Sequence, residues 1–237
     1  MDTLDQNLQQ PFSVEAIFAE QQRFIVKVYG WMCAALVLTG VTAYIVATTP
    51  SIMQYVFTNL TVLYVLLGVE LLMVIGLSSM INKMSANMAT AVFVLYSVVN
   101  GLTLSFIFLV YTSGSIAFTF FITAATFGVM SAYGYFTKKD LTSWGNLLVM
   151  ALLGLVIASI GNLFMKSDTL MWITTYAGIL IFVGLTAYDT QRIKNTNIIG
   201  NEGTDEDRKE AIIGALTLYL DFINLFLKLL RLFGRRR

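Results

Sequence analysis

Histidine is absent from this 237-residue sequence, and cysteine and proline are scarce. Without histidine, the chain lacks the commonest metal ligand and the usual general base near neutral pH. The single cysteine, Cys33, cannot form an intramolecular disulfide, and it lies in an apolar run, so we expect a small core residue there. The two prolines, Pro11 and Pro50, are too few for a proline-rich linker between domains. These absences predict a single domain with no resident cofactor.

Charged residues are also scarce, at 12% of the chain, whereas 57% of the residues are hydrophobic. A soluble domain could not bury that much apolar surface, so the composition indicates an integral membrane protein whose first partner is the lipid bilayer. The net charge is only +1, and no basic patch is interleaved with aromatic residues, which argues against nucleic-acid binding.

Seven apolar runs are long enough to cross a bilayer, which requires about 20 residues each. The predicted spans are residues 24–47, 60–80, 88–111, 116–136, 144–164, 170–188 and 211–232. The fold class is therefore an all-α integral membrane protein, with an N-terminal tail (1–23) and a single transmembrane domain (24–237). The first 22 residues are polar and lack a short apolar region with a cleavage site, so we expect no removable signal peptide.

Lysine and arginine in short loops predict the orientation. The side that holds the N-terminus carries Arg23, Lys27, Lys83, Lys138, Lys139, Arg192, Lys194, Arg208 and Lys209. The other side carries only Lys166 before the final tail, so we expect the N-terminus in the cytoplasm. The basic tail from Lys228 to Arg237 would lie outside if the last run crosses, and inside if that run is re-entrant; the length of the run favours crossing.

Small residues recur at helical spacing within the spans, and they predict close contacts between helices. Two examples are Gly154 with Gly161 in the fifth span and Gly178 with Gly184 in the sixth.

Three carboxylates lie within the spans, namely Glu70, Asp189 and Asp221. An ionisable group in a membrane span is costly, so it indicates a functional site. Asp189 ends the sixth span on the face where the seventh begins, and Asp221 lies about ten residues, or roughly 15 Å, into that last span. The two meet if the sixth helix starts deep or if the connecting loop dips into the membrane. Two carboxylates in contact cannot both stay charged, which predicts a shared proton that is lost as the pH rises. The alternative is that Asp189 merely pairs with Arg192, three residues further along the helix.

Three segments resemble the transmembrane Bax inhibitor motif family in its bacterial branch. They are Ala187-Tyr188-Asp189-Thr190-Gln191-Arg192-Ile193-Lys194, then Leu218-Tyr219-Leu220-Asp221-Phe222-Ile223-Asn224-Leu225-Phe226, and Asn100-Gly101-Leu102-Thr103-Leu104-Ser105. The resemblance implies a bundle of seven helices whose last helix is central and wrapped by the other six. It also implies a pH-dependent Ca²⁺ leak with Asp189 and Asp221 as the pH sensor, gate and transient Ca²⁺ ligands.

The resemblance implies further site residues. The family pairs a glutamate of the second helix with a basic residue near the chain's end, which assigns a pore-mouth pair to Glu70 and Arg231. The family also has an arginine at the inner end of the second helix, and this arginine contacts the aspartates. This chain has no arginine at that place. The nearest candidates are Asn82 and Lys83. We take Lys83 as the possible base of this latch.

The oxygens of Asn100 and Ser105 are candidates to line the pore, since Ca²⁺ prefers oxygen ligands. Their alternative role is hydrogen bonding between helices.

The preferred hypothesis is a leak in the inner membrane that conducts Ca²⁺ and responds to H⁺. Three other functions compete with it. Intramembrane aspartyl proteases also use two aspartates, but they carry a Gly-x-Gly before the second one, where this chain has Tyr219 and Leu220; we therefore expect no enzyme. A retinal protein needs a lysine in mid-membrane, and Lys228 lies too near the tail. A regulator that binds a membrane protease or another membrane partner stays open, with the charged segment Thr190–Glu210, expected to be a solvated loop, as its contact surface.

Overall fold

The computed structural model describes residues 13–237, and these form nine α-helices joined by short connections. The helices are α1 (Val14–Thr48), α2 (Pro50–Thr58), α3 (Leu60–Met80), α4 (Ala86–Leu104), α5 (Ile107–Val110), α6 (Ser113–Phe136), α7 (Thr142–Met165), α8 (Asp168–Thr196) and α9 (Asp205–Phe233). Residues 1–12 of the expected N-terminal tail lie outside the described part. The remainder of that tail, from Val14 to Arg23, forms the first turns of α1.

Seven helical segments are long and apolar enough to cross a membrane, which confirms the predicted all-α multi-pass fold. They are α1, α3, α4 together with α5, α6, α7, α8 and α9. The short helix α2 between the first and second spans was not predicted. Pro50 occupies its first turn, where the fixed φ of proline favours helix initiation and its missing N–H costs nothing.

Helix α9 lies at the centre of the bundle, packed against α1, α4, α6 and α8. In its most apolar stretch 61% of the residues are buried, compared with 6% in the corresponding stretches of α3 and α7. Helices α3 and α7 pack mainly on α4 and α8, at the outside of the bundle. The expectation that all six other helices wrap the last one is therefore wrong in detail, since four of them form the wall around α9.

Some helix pairs approach so closely that only glycine fits between them. A β-carbon at Gly134 of α6 would lie 2.1 Å from the backbone oxygen of Ala187 in α8. Gly178 and Gly184 also face close neighbours, as predicted, whereas Gly154 faces open space. The same holds for Gly161, so the predicted glycine contact in α7 is wrong. These two glycines of α7 do not face a neighbouring helix. Their spacing in the sequence does not show which side of α7 packs against the bundle.

The charged segment Thr190–Glu210 is not the solvated loop that was expected. Helix α8 continues to Thr196 and α9 begins at Asp205, so only residues 197–204 connect them. The side chain of Thr204 caps α9 by accepting a hydrogen bond from the backbone N–H of Asp207 at 3.2 Å.

Two ion pairs attach this connection and the start of α9 to α1. Arg23 makes a forked pair with Glu202, at 2.7 and 2.8 Å, and this contact holds the pKa of the Glu202 carboxyl below its usual value. Lys27 bonds to the buried carboxylate of Asp207, which also accepts the backbone N–H of Gly203 at 2.8 Å. The connection is therefore fixed to α1 by side chains that the sequence pattern left unassigned.

The C-terminal tail ends at the opposite end of the bundle. The backbone N–H of Thr112 donates to the oxygen of Arg235, and the N–H of Arg237 donates to the oxygen of Val110, both at 3.0 Å. Helix α9 thus runs the full length of the bundle, about 43 Å at 1.5 Å per residue, and it is not re-entrant. The first described turns of α1 and the C-terminal tail consequently lie at opposite ends of the bundle.

Candidate functional site

The structure brings Asp189 of α8 and Asp221 of α9 together inside the bundle. Both residues are buried, with 7% and 6% of their surface exposed, and their carboxyl groups are close enough to act on each other electrostatically. Helix α8 continues for about two turns beyond residue 188, where the predicted span ends, and reaches Thr196. Asp189 is therefore an interior residue of its helix rather than its terminal residue.

A shared proton satisfies this pair, and two full charges do not. Within residues 13–237, Asp221 Oδ2 is buried with no hydrogen-bond donor in reach. Ionised carboxylates only accept hydrogen bonds, so neither group can donate a hydrogen bond to the other while both are charged. A proton held by one carboxyl donates to the other and removes the cost of burying two like charges.

Groups from two sides adjoin the pair. From α1, the hydroxyl of Tyr29 lies 3.0 Å from Thr190 Oγ1, one residue beyond Asp189. On α8 itself, the guanidinium of Arg192 is close enough to act on Asp189 electrostatically. The alternative of an Asp189–Arg192 relationship therefore coexists with the aspartate pair instead of replacing it.

A cavity of about 270 Å³ reaches the pair from the end of the bundle that holds the first turns of α1. Asp189 lines this cavity, whereas Asp221 is not among the lining residues and lies behind it. The other charged and amide side chains of the lining are Asn82, Arg192, Glu206, Lys209 and Glu210. This arrangement is a polar entrance that ends at one carboxyl of a buried pair.

Lys83 does not occupy the latch position assigned to it. It is exposed and absent from the cavity lining, which its neighbour Asn82 joins instead. The bases at the entrance are Arg192 and Lys209, both from the two helices that carry the aspartates. The assignment failed because Lys83 lies in a single 3₁₀ turn after α3, whose rotation the sequence does not specify.

The structure does not bring Glu70 and Arg231 together. Glu70 of α3 accepts hydrogen bonds from Thr103 and, at 3.4 Å, from Asn100 of α4. Arg231 is exposed, and within residues 13–237 the two form no ion pair within 4.0 Å. The two residues of the predicted pore-mouth pair stay apart because α3 packs mainly on α4.

Asn100 instead belongs to a buried hydrogen-bond network between helices. Its Oδ1 accepts the Tyr219 hydroxyl at 2.9 Å, and that hydroxyl also lies 2.7 Å from Thr39 Oγ1. With Glu70, the network joins α1, α3, α4 and α9. Sequence reasoning missed Tyr219, although it stands two residues before Asp221 in the same motif.

Ser105 has a local role. It is fully buried, and from its place just after α4 its hydroxyl donates to the backbone oxygen of Leu102, in the last turn of that helix, at 2.7 Å. The structure therefore favours the hydrogen-bonding alternative for Asn100 and gives Ser105 a local hydrogen bond, rather than a position on a pore.

Across the described part of the chain, no group of three or more His, Cys, Asp or Glu side chains is placed to hold a metal ion. Ca²⁺ takes six to eight oxygen ligands, so the two aspartates would supply a minority of its shell.

Seven apolar helices, with two buried acids adjoining each other among them, define a multi-pass membrane protein. Residues 21–237 match the family described as Inhibitor of apoptosis-promoting Bax1, and the chain belongs to this family, which confirms the resemblance of its motifs.

Three bacterial relatives illustrate the relationship. Inner membrane protein YbhL of Escherichia coli (strain K12) is 54% identical over 217 residues, covering 91% of this chain and 93% of that protein. Protein RP147 of Rickettsia prowazekii is 44% identical over 220 residues, covering 91% of each chain. Protein YrjE of Lactococcus lactis is 36% identical over 216 residues, covering 89% of this chain and 90% of that protein. Together with the seven helices, the YbhL match supports a multi-pass inner membrane protein.

Proposed function

We propose that this protein is a pH-sensitive Ca²⁺ leak of the inner membrane, gated by the Asp189–Asp221 pair. The observation that carries the proposal is the position of the pair at the inner end of the cavity, with Asp189 on the wall and Asp221 behind it. A buried acid pair has a clear use in passing protons or cations, and it would be a costly feature in a protein that only binds a partner.

Protonation closes this gate. In acid the pair holds one proton, the carboxyls bond to each other, and α8 and α9 stay in contact. As the pH rises the proton leaves, the two charges repel, and the helices separate at this level. The freed carboxylate oxygens then offer weak, temporary ligands to Ca²⁺, with water completing its shell.

The charged residues of the entrance modulate this step. Glu206 and Glu210 raise the local concentration of cations, whereas Lys209 and Arg192 oppose it. Arg192, one turn from Asp189, takes the latch role for which Lys83 is unsuited, because its charge attracts the Asp189 carboxylate. Opening then requires Ca²⁺ or water to replace this attraction.

Reconstitution tests the function directly. The purified chain is placed in lipid vesicles that contain a Ca²⁺ indicator, and influx is followed after external Ca²⁺ is added at acidic and at neutral pH. We expect influx above that of protein-free vesicles, and faster at neutral than at acidic pH. Absence of influx at every pH would favour the alternative function, a non-transporting regulator that binds a membrane protease or another membrane partner.

A further inference from the structure

A second cavity, of about 260 Å³, lies where α6 ends and α7 begins, against the last turns of α8. Three lysines line it, namely Lys138, Lys139 and Lys194, together with a single acid, Asp140. The hydroxyl of Thr142 and then its backbone N–H hold the pKa of the Asp140 carboxyl below its usual value, so this acid is ionised at neutral pH. Three positive charges against one negative charge leave a clear excess of positive charge.

The lysines of this cavity have donors to spare. Within residues 13–237, none of the three ammonium groups pairs with a carboxylate within 4.0 Å. The ammonium group of Lys194 donates one hydrogen bond to the backbone oxygen of Tyr135, at 3.0 Å, and lies over the ring of that residue. The cavity therefore offers several unused hydrogen-bond donors to an anion.

The loop that carries two of the lysines is held in place by one side chain. Gln191 of α8 donates from Nε2 to the backbone oxygen of Lys139, and its Oε1 accepts the N–H of Leu141, both at 2.8 Å. Since Gln191 is buried, these bonds fix the position of the loop against α8 before any ligand arrives. A site formed in advance loses less entropy on binding.

Exposed aromatic residues place this cavity at the level of lipid headgroups. Phe136 is 75% exposed and Trp144 is 66% exposed, one at the end of α6 and the other at the start of α7. Aromatic side chains of this kind gather where the apolar core of the membrane meets water. From Trp144 onward, α7 presents an apolar outer surface that includes Leu147 and Met150, suited to acyl chains.

We propose that this cavity binds the phosphate group of an anionic phospholipid headgroup, with Lys138 and Lys139 as its main contacts and Lys194 at its base. Basic pockets between membrane helices recognise anionic headgroups through such charges. Free phosphate offers the same group, but the adjoining aromatic and apolar surface favours the lipid. The site is separate from the aspartate pair and does not depend on ion transport.

The test uses the full-length protein in detergent, with phosphatidylglycerol or phosphatidylethanolamine added, and measures the Tm. We expect phosphatidylglycerol to raise the Tm more than phosphatidylethanolamine, and Lys138→Gln with Lys139→Gln to remove most of that difference. Both side chains are exposed, so the variant should fold. Lys83 is an exposed lysine at the same end of the bundle but outside the cavity, so Lys83→Gln should leave the Tm difference between the two lipids unchanged. Lys138→Arg with Lys139→Arg keeps both positive charges and should preserve that difference.

Two outcomes overturn the proposal. If the double glutamine variant keeps the full phosphatidylglycerol shift, the lysines do not form the site. If inorganic phosphate at the same concentration gives the same shift as the lipid, and this shift also needs Lys138 and Lys139, the site takes free anions and the lipid assignment is wrong. Native mass spectrometry gives a second measurement, since the parent chain should retain more phosphatidylglycerol than the double variant.

Discussion

Lys27 of α1 bonds to Asp207 of α9 across 180 positions of the sequence, at the end of the bundle where the entrance cavity lies. Asp207 is almost fully buried, whereas Lys27 keeps about a third of its side chain exposed. The pair joins α1 to the first turn of α9. It therefore fixes the N-terminal end of the helix that carries Asp221.

Asp207→Asn should therefore destabilise the protein. The amide keeps the size of the side chain and its acceptor for Gly203, but it loses the charge that offsets Lys27. Hydrogen bonds to charged groups contribute about 1.5–3 kcal/mol, and we expect a loss of that size in the free energy of unfolding in mixed micelles. Asp205→Asn is the matched control, because its pair with Arg208 is exposed and long at 3.6 Å. Equal losses in the two variants would contradict the role of the pair.

Tyr219→Phe tests the buried network. The change removes one hydroxyl and leaves Asn100 Oδ1 without its buried donor, which costs about 1–3 kcal/mol, whereas Thr39 keeps its hydrogen bond to the backbone oxygen of Ser97. Thermal or denaturant unfolding in micelles measures this loss. Tyr44→Phe, at a residue 60% exposed, serves as the control and should change little. A Tyr219→Phe protein as stable as the parent would mean that the network contributes nothing to stability.

Gly134→Ala tests the contact between α6 and α8. The added methyl group would meet the backbone oxygen of Ala187, which cannot move without shifting α8 near Asp189. Overpacking of this kind costs about 1–3 kcal/mol, or more where backbone is involved. Gly154→Ala is the control, since open space surrounds that position and alanine favours a helix. The contact would be unimportant if both variants unfolded at the temperature of the parent chain.

Much of the fold could be predicted because membrane spans are read from the length of apolar runs. All seven predicted spans lie on the observed membrane helices, but the ends do not agree. Helix α8 passes Asp189 and reaches Thr196 through charged residues, because contacts with α1 stabilise the connection that follows. Such long-range contacts have no local signal.

The aspartate pair could be predicted because an acid in an apolar span is rare and costly. The residues around the aspartate pair could not be predicted in the same way. Lys83 and the Glu70–Arg231 pair were assigned from the resemblance, and each assignment depended on how a helix is rotated and which helix it packs against. The apolar surface of α3 is too uniform to specify that rotation, and its hydrophobic residues give no preferred side.

The pH dependence of the leak follows from the pair. Protonation favours the closed contact, so influx should increase as the pH rises from acidic to neutral. Asp221→Asn and Asp189→Asn each remove one of the two charges, so no repulsion can develop between them. We expect either variant to lose most of the difference between acidic and neutral pH, whatever its absolute rate.

The most direct measurement is Ca²⁺ influx into reconstituted vesicles, as a function of pH, for the parent chain, Asp221→Asn, Asp189→Asn and the exposed control Asp205→Asn. The account predicts a rise with pH in the parent and in Asp205→Asn, and a nearly flat profile in the other two. If Asp221→Asn keeps the parent's pH profile, the aspartate pair is not the gate.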